Sequence, residues 1–195
     1  MNHELDDLVR KAIFCQGEGN MQQALSLWAR AAQIAPLDHP GRFNYLLCRR
    51  SLHPQRNYMG ESLDLARESM TAPYSDHCDV IAMLCSYEAG RLDISAGVAV
   101  ILAENVMDAE RAGRANVWDL AGEPSLVSED GSVAESKSGA NIIRCIEALI
   151  CTVPHGSRDE RPLKETLQRY QLREQAMIMG VFPVLPPRKA WWKFW

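Results

Sequence analysis

No run of this sequence is apolar enough over enough residues to suggest a membrane-spanning helix. The longest nearly uncharged run, Ile94 to Ala103, is far short of the roughly 20 residues that a spanning helix needs. The opening, "MNHELDDLVRKAIF", carries acids ahead of its apolar stretch and has neither a cationic leader nor a small-residue cleavage site. It reads as the start of a folded domain rather than a secretory signal, and the expected location is cytoplasmic. Excess positive charge is missing as well. The formal net charge is -4, which gives no general attraction to nucleic acid, because that affinity comes mostly from Lys and Arg neutralising phosphates.

The usual marks of site chemistry are also scarce. The six cysteines, Cys15, Cys48, Cys78, Cys85, Cys145 and Cys151, form no close CxxC pair, so neither a zinc site nor a disulfide framework is expected. They read as buried free thiols, with His77, Cys78 and Cys85 as the one alternative ligand group. "GEGN" lacks the lysine and the following Ser or Thr of a phosphate-cradling loop. "GESLD" around Ser62 lacks the second glycine of a nucleophile elbow. Glu104, Asp108 and Glu110 fit a solvated helix face better than a pair of catalytic carboxylates. The histidines His3, His39, His53, His77 and His155 fit loop and cap positions. No catalytic, cofactor or metal-ligating residue is assigned, and the expected protein is not an enzyme.

What the sequence does have is helical periodicity. Charged residues make up 24% and hydrophobic ones 47% of 195 residues, the balance of a chain that folds around a core. Leu5, Leu8, Ala12 and Cys15 recur at spacings of three and four, as do Ala24, Leu27, Trp28, Ala31 and Ile34, so each set marks one face of a helix. Gly17 and Gly19 suit the stop between them and Pro36 ends the second. Trp28 and Ala31 are expected to pack in the core.

This first hairpin resembles a tetratricopeptide repeat. Leu8, Ala12 and Cys15 stand at the first-helix packing positions and Gly19 and Asn20 at the turn. Ala24, Trp28, Ala31 and Pro36 stand at the family's small, aromatic, small and proline positions. Leu8 replaces the usual large aromatic, Ala12 the usual glycine and Cys15 the usual tyrosine. The resemblance covers about 34 residues and implies hairpin geometry more than any activity. The Gly19, Ala24, Trp28, Ala31 series followed by Arg49 and Arg50 is also similar to small bacterial regulators that bind transcription factors. A regulator of DNA-bound machinery is therefore the alternative role.

Further along, "GRFNYLLCRRSL" and "GESLDLARESMTAP" flank a "PQRN" break, and "SDHCDVIAMLCSYEAG", with a serine cap, precedes a longer helix from Leu92. Residues 114–138 are rich in Ser, Glu and Gly and read as a flexible acidic loop, with a short hairpin around "SEDGS" as the alternative. After it come a strongly apolar helix around Ile142 to Ile150 and an amphipathic one from Arg161. The expected fold is all-α, a short stack of roughly six or seven helices in antiparallel hairpins. Its parts are hairpins over 1–113, the acidic loop over 114–138, closing helices of the same domain over 139–180, and a Pro/Trp-rich tail over 181–195.

Such a stack leaves a groove, and grooves of this kind hold a peptide or helix of another protein. The expected role is a protein-binding adaptor or chaperone-like protein. Arg42, Tyr45, Arg49 and Arg50 are the candidate groove residues. The tail "PPRKAWWKFW" adds Trp191, Trp192, Phe194 and Trp195 as a second candidate contact, since Trp and Arg dominate interface hot spots. That tail fits docking on a partner or a second copy, folding back on its own domain, or touching a membrane surface.

Overall fold

The computed structural model describes residues 3–36, 39–111, 120–128, 131–136 and 138–180. The molecule is mostly helical, with helices α1 (His3–Gly17), α2 (Met21–Ile34), α3 (Gly41–Leu52), α4 (Met59–Glu68), α5 (Ser75–Glu88), α6 (Leu92–Arg111), α7 (Ala140–Ile150) and α8 (Glu160–Ile178). Strands β1 (Pro124–Val127) and β2 (Val133–Glu135) complete it. Among the described residues no helix is long and apolar enough to cross a membrane.

The expected first hairpin forms. Its turn closes with Asn20 N–H on the Cys15 carbonyl at 2.8 Å and Gly19 N–H on the Gln16 carbonyl at 3.1 Å. This pair of bonds requires the left-handed φ of +75° that Gly19 adopts. Asn20 then caps α2 by accepting from the Gln23 N–H, so one short turn stops one helix and starts the next. At α5 the structure differs from expectation: Tyr74 is the cap residue, its side chain makes no capping bond, and Ser75 is already the first helical residue.

Each helix from α1 to α6 packs on its chain neighbour, and α7 and α8 close against α5 and α6. Three apolar clusters result. The first joins Leu5, Leu8, Ala12, Cys15, Ala24, Trp28 and Ala31 with Cys48 of α3. The second joins Phe43, Leu46 and Leu47 of α3 with Tyr58, Leu65, Tyr74 and Ile81, and in it the rings of Phe43 and Tyr74 stack with centroids 5.9 Å apart. The third joins α5 and α6 to Ile142, Ile146 and Leu149 of α7 and Leu163 and Tyr170 of α8. Trp28 is completely buried, as is Ala31, which fits their expected place in the core.

Where the sequence reads as a loop, Leu120 to Ser128 and Gly131 to Ser136 form an ordered strap. Its two strands pair antiparallel, with Leu126 opposite Ala134, Val127 opposite Val133 and an irregularity between Pro124 and Leu126. The short-hairpin alternative therefore describes this stretch better than a flexible loop does. Polar composition misled because so little of the strap's order comes from its own apolar content. Leu120 and Ala121 enter the third cluster, Val127 the second, and half-buried Leu126 rests on the first. The strap thus runs across all three.

Candidate functional site

The strap lies on a face built from α1, α3 and α5, and polar side chains on that face hold it by its backbone. Asn44 sits in α3 among Phe43, Leu46 and Leu47 and is only 2% exposed. Its Nδ2 donates to the Val127 carbonyl at 2.7 Å, and its Oδ1 accepts from the Val127 N–H at 2.8 Å. A single side-chain amide therefore supplies both bonds that a neighbouring strand would otherwise give to this residue. On α1, Gln16 Nε2 donates to the Ser125 carbonyl at 2.9 Å, while Gln16 Oε1 accepts from the Trp28 indole N–H at 3.2 Å. Buried Tyr170 of α8 donates its hydroxyl to the Ala121 carbonyl at 2.7 Å.

Two strap carboxylates add charge to this grip. Glu123 Oε1 meets Arg50 of α3 at 2.5 Å, and its Oε2 accepts from Asn141 of α7 at 3.2 Å. Arg50 also pairs with Glu88 of α5 at 2.6 Å. Burial alone pulls the Arg50 guanidinium downward, but the bonds it donates to Glu88 and Glu123 outweigh burial and push its pKa up. Glu135 lies 2.9 Å from His77 Nε2, accepts from the Gly122 N–H at 3.3 Å and pairs with Arg173 of α8. Burial pushes the Glu135 carboxyl up, and the His77 bond together with the Arg173 charge reverses this and holds it below 4.5. A side chain at Gly122 would run into this carboxylate and crowd the Arg173 guanidinium.

The candidate groove residues do not share one face. Arg50 faces the strap. Arg49, next in sequence, turns toward α4, where it pairs in two-point fashion with Glu61 at 2.8 and 3.0 Å. Its guanidinium also lies over the rings of Tyr45 and Tyr58, at 5.0 and 5.4 Å. Arg42 pairs with Glu68 at 2.5 Å. Arg42 and Tyr45 line a depression of about 250 Å³ with Ala29, Ala32, Gln33, Glu61 and Leu65, between α2 and α4. Trp191, Trp192, Phe194 and Trp195 lie outside the described residues.

The thiols are free, and five of the six are buried as expected, whereas Cys151 is exposed just past the end of α7. Burial pushes Cys48, Cys85 and Cys145 up to about 11 and Cys78 up to about 12, so these thiols stay protonated and unreactive near neutrality. His77 turns to Glu135 rather than to Cys78 or Cys85, and among the described residues no group of three or more His, Cys, Asp or Glu is placed to hold a metal.

Asn44, Gln16, Glu123, Glu135 and Arg173 were not singled out from the sequence. Asn44 offered a signal, because an amide set among residues at core spacing must find a partner once buried. Arg173 offered none, being one of many charges on an amphipathic helix. Comparison of the chain with protein-family models, curated proteins and solved structures finds no match.

Proposed function

We propose that this chain is a non-enzymatic protein-binding scaffold, a stack of tetratricopeptide-like hairpins working in the cytoplasm, and that its face of α1, α3 and α5 receives an extended segment of a partner protein. The observation that carries this reading is the two-point bond between Asn44 and the main chain of Val127. A buried amide that reads one residue's N–H and carbonyl selects extended backbone rather than a particular side chain. That is the main-chain part of strand-type peptide recognition. Gln16, one helix away, extends the same reading to Ser125.

The test is peptide selection on the full chain, followed by fluorescence anisotropy with Asn44→Ala. Selected peptides should bind the wild type and lose at least tenfold in affinity with Asn44→Ala, while circular dichroism stays helical. If no peptide binds, or if binding ignores Asn44, this reading fails.

A further inference from the structure

We infer that the strap is a displaceable placeholder on this face, and that the partner segment replacing it is acidic, bringing carboxylates for Arg50 and for the His77–Arg173 pair and an aliphatic side chain for the seat of Val127. The inference rests on the reading above and names the chemistry of its partner.

The first argument is charge. The side chains of Arg50, His77 and Arg173 are 15%, 15% and 11% exposed. The described ion pairs of both His77 and Arg173 go to Glu135, and Arg50 divides itself between Glu88 and Glu123. A neutral segment laid over Arg50 and Arg173 would strip the water from two guanidinium groups without supplying counter-charge, which is strongly unfavourable. An acidic segment restores the present pairing and takes over the main-chain bonds to Asn44 and Gln16 that the strap now makes.

The second argument is how little the strap contributes to its own order. Two strands of four and three residues do not hold together alone in water. Ser125 and Ala134 point outward, and only Pro124 and Val127 are buried in the two strands. The anchors at the entry, Leu120 and Ala121, belong to a separate cluster and to the Tyr170 bond. The part from Glu123 to Ser136 can therefore leave while its entry stays seated. Because it is tethered at both ends, its local concentration is on the order of millimolar. A partner has to outcompete that concentration, so weakening the strap's own grip should strengthen binding in trans.

The experiment uses the full chain and a fluorescein-labelled synthetic peptide copying residues 120–136, together with a second peptide carrying Gln in place of both Glu123 and Glu135. A Glu123→Gln/Glu135→Gln chain keeps every residue of the receiving face and loosens only the strap. The acidic peptide should bind this chain at least tenfold more tightly than it binds the wild type. It should also exceed the Gln peptide by at least tenfold on the loosened chain, with an advantage that shrinks as salt rises. Equal binding of the two peptides overturns the acidic partner, and equal binding to the two chains overturns the placeholder.

Failure of both copied peptides, while peptides selected earlier still bind through Asn44, overturns this inference and leaves the binding face standing. Loss of all Asn44-dependent binding overturns the reading beneath it. If circular dichroism shows that the double variant does not fold, the Glu123→Gln chain is used instead. It retains the Glu135 ties, and about a threefold gain is expected; no gain overturns the placeholder.

Discussion

The α1–α2 hairpin and the strap are held by opposite means. In the hairpin, the order is internal: Leu5, Leu8, Ala12 and Cys15 meet Ala24, Trp28 and Ala31 across a turn that closes both helices. In the strap, the order is lent by neighbours: Asn44, Gln16 and Tyr170 satisfy its main chain, and Arg50, His77 and Arg173 satisfy its acids. Elements of the first kind fold because of their own pattern. Elements of the second kind take the shape of the surface beneath them, and a surface that can shape one segment can shape another.

The sharpest way to break the contrast is at the hairpin. Trp28→Ala removes a fully buried ring from the first cluster and should cost about 3–5 kcal/mol, seen as a fall of roughly 10 °C or more in Tm. A loss below about 1 kcal/mol in urea titration would show that the hairpin is not self-supporting. Asn44→Ala should cost about 2–3 kcal/mol, because it deletes two buried bonds and leaves the Val127 N–H and carbonyl unsatisfied. Hydrogen exchange should then quicken at Val127 while Trp28 and the amides of α2 remain protected. Uniform quickening across both regions would erase the distinction.

Glu135→Gln should cost about 1 kcal/mol at pH 7 and its effect should depend on pH. The folded carboxyl sits below its usual 4.5, so its contribution is fully present above about pH 4.5 and disappears as pH falls through the folded value. Wild type and variant should therefore converge on acidification. The smallest effect expected is a gain. Burial, helped by the charge of Asp76, pushes Asp79 of α5 up to about 6 from 3.8, so the ionised form is penalised above about pH 6 and the penalty is gone below about pH 4. Asp79→Asn should raise Tm by about 2–4 °C at pH 7.5 and by nothing near pH 4. An equal gain at both pH values would rule out ionisation as the cause.

The helical part of this fold was legible because its signals are local. Leu8, Ala12, Trp28 and Ala31 fall on one spacing, and Gly19 marks the turn. The site was legible only in part. Arg49 and Arg50 look like one basic patch in sequence, yet successive residues on a helix point about 100° apart. One is consequently drawn to Glu61 and the Tyr45 and Tyr58 rings, the other to Glu88 and Glu123. Cys151 continues an apolar run but follows the last turn of α7, and so emerges into solvent. Glu123 and Glu135 read as solvated acids because their partners are 73 and 58 residues away in sequence, at Arg50 and His77. Composition registers such residues without registering what they face.

Gln16 has a use that concerns observation rather than stability. One amide accepts from the Trp28 indole and donates to the Ser125 carbonyl, so the two ends of that side chain are coupled through a single torsion. When the strap departs, Gln16 loses the bond that orients it, and the hydrogen bond at the indole must change. In a ¹⁵N-labelled sample the indole resonance of Trp28, assigned by mutation among the five tryptophans, becomes a native indicator of occupancy. It reads from inside the first cluster whether the face next to it is covered.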